Sequence, residues 1–398
     1  MNRLSISRRS LVAGTAAIAA AARDPRRLLA EATPVARGDE GSLDAMLKRA
    51  SDPTPDGGPG PTTLFGYANI ARQLSARGLR ALDPARADDE RIRDWSDGLG
   101  GLYVDDTLLR YAFSETLWDD LGFDPSQIDQ TLLVGDVPRV TRLLRGRFDA
   151  RAVARALAGS GYERIEVAGG VVFSSGREGE FSLRHPIQSL VLATLNNVAV
   201  VDESYVVAGA YLADVETALA VMAGNDATLA SNVAVDTLVS AVGVELVSAT
   251  VMDGAVLSAA SMPNVRGGSE SIKLPGGTIP AAAAVLFGLT PGWMPSRFAD
   301  PDVPLEGSDG MTPAAEFVVA LHLGSEAEAA EAVAVIEGRL AEGRSLRTNE
   351  PFATMFEGWD VTAVPGTPVA TVRIRGERVG LQWLQIVFSR DLPFLLTD

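Results

Sequence analysis

Only two histidines occur in the chain, His185 and His322, and there is no cysteine. An imidazole-based metal site would need both histidines together with carboxylates. His185 lies in the polar turn "LRHPIQ", and His322 lies on the alternating stretch "VALHLG" in the other half of the chain. Alternation puts Val318, Ala320 and His322 on one face of that strand and Val319 and Leu321 on the other, so His322 reads as a structural side chain. The absence of cysteine removes disulfides, zinc–thiolate sites, thiol nucleophiles and a lipid-modified N-terminal cysteine together.

Other reactive patterns are incomplete. "GGSES" (267–271) approaches the G-x-S-x-G nucleophile elbow but ends in Ser271 and does not follow a strand. Ser269 and Ser271 stand four and two residues from Lys273, which is not the S-x-x-K spacing. "GSGYERIEVAGG" is glycine-rich but follows a helical pattern, and no Walker lysine accompanies it, so no cofactor is expected. Acidic doublets occur at Asp88-Asp89-Glu90, Asp105-Asp106 and Asp119-Asp120, with loop acids Asp300, Asp302, Glu306 and Asp309. Adjacent carboxylates on a helix point in different directions, whereas acid/base catalysis needs two acids facing across a cleft. The 300–309 loop lacks the sixth-position glycine of an EF-hand.

The elements that would carry these residues form a pattern that occurs twice. "RVTRLLRGRF" (139–148) reads as a strand, and "DARAVARALAGSG" as a helix with Asp149 as N-cap. "ERIEVAG", "VVFSSG" and the hairpin "NNVAVVDESYVVAG", turning at Asp202-Glu203-Ser204, follow. Later, "AEFVVALHLG" leads into "SEAEAAEAVAVIEGRLAEG", where Ser325 and Glu328 make a capping box. "WDVTAVPG", "VATVRIRG" and "LQWLQIVFSRDLPFLLT" then read as strand, strand and a hairpin turning at Arg390-Asp391. Helical patches at "LDAMLKRA" (43–50) and "VDTLVSAVG" (235–243) precede the two halves.

The fold class this implies is α+β: two similar units, each an antiparallel sheet with helices on one face, related by internal duplication. The expected division is 1–32 signal peptide, 33–63 Pro/Gly-rich tether, 64–230 first unit with a helical insertion near 88–124, and 231–398 second unit. Proline and glycine mark long surface loops at 262–280 and 289–313, the second holding Trp293 as a candidate anchor for a partner.

The N-terminus carries the clearest address. Arg8 and Arg9 precede the apolar run Leu11–Ala22, and Ala30-Glu31-Ala32 offers a small-residue cleavage site. Ser7-Arg8-Arg9-Ser10-Leu11-Val12 resembles the twin-arginine export signal, with Leu11 where phenylalanine is usual. The run of 12 residues is shorter than a membrane span of about 20. "LGFDPSQIDQTLLVGDVPRVTRLLRGRFDARAVARALAGSGYE" (121–163) resembles a segment of uncharacterised exported bacterial proteins with twin-arginine-type signals. That resemblance implies export and a strand–helix–strand order, and brings no activity with it.

With 35 basic and 51 acidic residues the formal charge is −16, and removal of residues 1–32 takes six arginines and two acids away, leaving −20. Such a surface excludes nucleic acid and anionic membranes as electrostatic partners. The sequence therefore predicts an exported, extracytoplasmic, non-enzymatic binding protein for a macromolecular or apolar ligand. The alternatives are a carboxylate-dependent hydrolase with its site between the units and a Ca²⁺-stabilised adhesion module.

Overall fold

Asp149 accepts hydrogen bonds from the backbone N–H groups of Arg151 (2.9 Å) and Ala152 (3.1 Å), which starts a helix at Ala150–Gly159. Asp202 and Glu203 both take left-handed backbone, φ 52° and 55°, and form the hairpin turn expected of them. Ser325 Oγ accepts from Glu328 N at 3.2 Å, but the Glu328 carboxylate accepts from Gly324 N (2.8 Å), one residue before the cap. The computed structural model in which these bonds are seen describes residues 41–53, 62–79, 87–103, 106–258, 275, 277–292, 314–376 and 379–397. Arg8, Arg9, Ala30 and Ala32 of the export signal, Lys273, Trp293 and the 300–309 acids lie outside the described residues.

Twelve strands are described: β1 (Thr63–Asn69), β2 (Ile128–Val134), β3 (Thr141–Gly146), β4 (Glu163–Val167), β5 (Gly170–Ser174), β6 (Asn197–Val201), β7 (Tyr205–Gly209), β8 (Ser248–Asp253), β9 (Ala284–Leu289), β10 (Phe317–His322), β11 (Gly358–Ala363) and β12 (Val369–Arg375). All join one antiparallel sheet of order β11-β12-β10-β9-β8-β1-β2-β3-β7-β6-β5-β4. The protein is thus α+β, with the sheets of the two halves meeting edge to edge at β1–β8. Outward from that pair the strand order is alike. The third strand on each side, β3 or β10, feeds a helix, and the meander after it brings its last strand back beside the third.

The helices are α1 (Leu43–Leu47), α2 (Ile70–Ala76), α3 (Asp89–Gly98), α4 (Asp106–Leu109), α5 (Glu115–Leu121), α6 (Ala150–Gly159), α7 (Gln188–Val191), α8 (Leu212–Met222), α9 (Val233–Val242), α10 (Glu326–Glu342), α11 (Phe352–Met355) and α12 (Val379–Phe388). Strand alternation sends Phe317, Val319 and Leu321 into the larger core under α2–α7 and α10–α12, and Val318 and Ala320 to the opposite face. That opposite face is covered by α1 and α9, with α8 over β5–β7. Helices therefore lie on both faces, because the strands alternate two apolar sets rather than one apolar and one polar set.

Two local readings change. "LQWLQIVF", expected as a strand of a hairpin, is helix α12, with Val379, Trp383, Ile386 and Val387 buried on one helical stripe. Within the expected tether, residues 41–53 belong to the folded body: Met46 and Ala50 are fully buried, and Gly41 C=O accepts from the Asn69 and Gln130 side chains. The helical insertion is present as α3, α4 and α5, and Trp95 in α3 is buried edge-on against Phe113 (5.2 Å, 90°).

Candidate interaction surface

The connection from β5 to β6, residues 175–196, is built around two carboxamides. Gln188 and Asn196 are both fully buried. Gln188 Nε2 donates to Ser175 Oγ (3.0 Å) and to Asn196 Oδ1 (2.8 Å), and its Oε1 accepts from Ser182 N at 2.9 Å. Asn196 Nδ2 donates to the carbonyls of Arg177 (2.5 Å) and Glu180 (2.7 Å). An amide offers two donors and an acceptor in fixed geometry, so this pair, bonded to each other, ties four other points of an irregular chain together. A buried amide left unpaired costs about 1–3 kcal/mol, which gives the loop a reason to keep this shape.

Further ties hold the segment to its surroundings. Tyr162 Oη donates to Leu195 C=O (2.8 Å), Tyr111 Oη to Leu190 C=O (3.0 Å), and Gly179 N to Ala210 C=O (3.0 Å). The Glu178 carboxylate accepts from Leu212 N at 3.0 Å, at the start of α8. Burial pushes the Tyr162 hydroxyl well above its usual range, as befits a donor sealed against a carbonyl.

Ile187, Val191 and Leu195 point into the core, while Phe181, Leu183 and Leu192 are 49%, 73% and 48% exposed. Leu192 sits at φ 56°, a left-handed conformation that costs a non-glycine residue about 1–3 kcal/mol. Strain and exposed apolar side chains coincide on one anchored segment. Arg177 and Arg184 balance Glu178 and Glu180 there, in a chain that is otherwise strongly acidic.

His185 belongs to this segment. Its ring stands edge-on to Tyr162 (5.3 Å, 77°), and its Nδ1 accepts from Gln188 N at 3.4 Å. Desolvation lowers its pKa below the ordinary 6.5; Asp120 opposes that shift and Arg177 reinforces it. The contribution to stability is present above pH 6.5 and is lost as pH falls through the lowered value, since the unfolded chain then binds the proton more readily. The protection factor of the Gln188 amide, taken relative to the intrinsic exchange rate at each pH, is expected to fall from pH 7 to pH 5, and His185→Phe is expected to flatten that dependence. Equal protection at both pH values in the parent would count against the assignment.

The remaining expected site residues do not converge. His322 lies in β10, in the other half of the chain from His185, and its Nδ1 is buried with no hydrogen-bond partner. Asp88 caps α3 by accepting from Arg91 N (2.9 Å), and Asp120 accepts from Ser160 Oγ (3.1 Å). Burial raises Asp124 and Asp129; Asp124 accepts from the N–H groups of Phe113 and Ser126, and Asp129 faces Arg147 and Arg145. No second carboxylate contributes to either shift. Among the described residues no three metal-ligating side chains gather, and no helix is long and apolar enough to cross a membrane. Gln188 and Asn196 carry no sequence signal, because an amide becomes an anchor only through its distant partners.

No protein-family model matches the chain, and no curated protein matches it. Among solved structures, crystal form III of TP0453 aligns with a TM-score of 0.34 and 11% identity, covering 86% of this chain and 99% of that one. Crystal form I of TP0453 aligns at 0.36 and 10%, covering 86% and 98%. A likeness at that level says nothing of what this chain binds.

Proposed function

We propose that this is an exported cell-envelope or extracellular protein without catalytic activity, which binds a partner through the 175–196 segment. The observation that carries the reading is the exposure of Phe181, Leu183 and Leu192 on a segment fixed from below by Gln188 and Asn196. Fixing a contact segment before binding removes much of the ordering cost of association. The local balance of two arginines against two glutamates favours recognition by apolar burial over recognition by charge.

Export and binding are tested separately. A photo-crosslinking residue in place of Leu183 is expected to give a defined adduct in the producing cell's own envelope, and one in place of Val137, exposed on the β2–β3 turn, is expected to give none. Identical patterns at the two positions would remove the binding reading. For export, Arg8→Lys with Arg9→Lys is expected to retain the precursor inside the cell. Undiminished export of that variant would exclude the twin-arginine route.

A further inference from the structure

Strand β4 ends the sheet and is hydrogen-bonded only to β5 among the described strands. Its sequence is Glu163, Arg164, Ile165, Glu166, Val167, and Val167 pairs with Gly170 across the two-residue turn that closes the hairpin. Antiparallel strands direct alternate backbone groups to opposite sides. With Val167 as the closing hydrogen-bonded residue, Ile165 and Glu163 also face β5, and Arg164 and Glu166 present N–H and C=O outward. Their side chains share one face of the sheet, where Arg164 Nη1 meets Glu166 Oε1 at 2.8 Å in an exposed pair.

This edge is complementary to itself. A second β4 laid antiparallel about Ile165 sets Arg164 against the partner's Glu166, Glu166 against the partner's Arg164, and Ile165 against the partner's Ile165. The outward backbone groups are those that such a register joins, giving four hydrogen bonds. Sliding by one step in either in-phase direction opposes Arg164 to the partner's Arg164, or Glu166 to the partner's Glu166. Like charges directly opposite are destabilising, so the charge pattern selects a single register. The opposite edge, β11 (Gly358–Ala363), has no such symmetry: Asp360 is its only charged residue and pairs with Arg375 of its own chain at 2.8 Å.

We infer that β4 is a homodimerisation edge, joining two copies of the chain through a continuous sheet in the register centred on Ile165. A five-residue edge buries less than a standard interface, so the dimer forms with a Kd on the order of tens of micromolar. The inference is independent of the 175–196 segment, whose crosslinking result does not bear on it.

Sedimentation equilibrium of the mature chain across that range is the test. The parent is expected to dimerise, and Arg164→Glu is expected to weaken the dimer about tenfold by turning two attractive cross-strand pairs repulsive. Arg164→Glu combined with Glu166→Arg is expected to restore the affinity to within about threefold. Glu166→Pro removes an outward N–H without touching the β5 ladder and is expected to abolish dimerisation while the thermal midpoint holds. A parent that stays monomeric, a dimer indifferent to Arg164→Glu, or a double swap that fails to restore it would each overturn the proposal.

Discussion

Gly66→Ala is expected to lower the free energy of unfolding by about 2–3 kcal/mol, although it adds one methyl group to a strand. Gly66 lies in β1, at the seam where the two halves of the sheet meet, and a Cβ there would stand 1.8 Å from Tyr103 Cε1. The Tyr103 ring cannot retreat without loss. It stacks on Phe388 of α12 at 5.6 Å with 21° between planes, and its own N–H donates to Ser248 Oγ at 2.6 Å. Ser248 Oγ in turn donates to Tyr67 C=O (3.1 Å), so β8, β1 and the 99–103 turn are locked at one point. The check is a double-mutant cycle by urea unfolding: Gly66→Ala with Tyr103→Ala is expected to cost less than the two single changes together. Strict additivity would show that the ring is not what the new methyl meets.

Trp383→Ala is expected to cost more, about 3–5 kcal/mol, as removal of a fully buried indole does. Trp383 packs on Phe317 of β10 (5.9 Å, 35°), and its Nε1 donates to Gly101 C=O at 2.5 Å. One side chain thus ties α12, late in the chain, to a turn in the first half. Trp383→Phe keeps most of the volume but leaves that carbonyl without the indole donor, and is expected to cost about 1–2 kcal/mol. Because the tie crosses between halves, a single unfolding transition is expected in the parent. Two separate transitions, with Trp383→Ala moving only one, would mean that the halves fold independently.

Trp383 also shows where local reading stops. In "LQWLQIVF", Leu384, Ile386 and Phe388 satisfy a period of two, and Trp383, Ile386 and Val387, with Val379 just before the stretch, satisfy a helical period. A short apolar run fits both, and the choice falls to whichever surface it can bury. Here β9 and β10 already occupy the neighbouring sheet positions, and the segment lies across them as a helix. The 41–53 stretch departs from its expected role as a tether for a related reason. Its proline- and glycine-rich flanks look like a linker, yet Leu43, Met46 and Leu47 bury a face against β1 and β2, from which α1 is well separated in sequence.

The 175–196 segment is still less legible. Phe181 and Leu183 are ordinary residues until the chain folds; what makes them a surface is that Gln188 and Asn196 hold the backbone so that Ile187, Val191 and Leu195 take the buried positions instead. The edge strand is an intermediate case. Its Glu-Arg-Ile-Glu-Val order is visible in the sequence, but its place at the end of the sheet follows from β7 returning to pair with β3 and carrying β6, β5 and β4 outward.

The sequence by itself determined the helices with good caps, the alternating strands, the hairpin turn at Asp202-Glu203-Ser204, the α+β class and the freedom from cysteine chemistry. Each depends on neighbours within a few residues, where backbone sterics, hydrogen-bond caps and side-chain periodicity act directly. Only the tertiary structure decided that β1 pairs with β8 to make one sheet of two, that helices cover both its faces, and that Phe181, Leu183 and Leu192 stay outside. Those outcomes are set by which distant surfaces exclude water together, and that choice belongs to the whole chain.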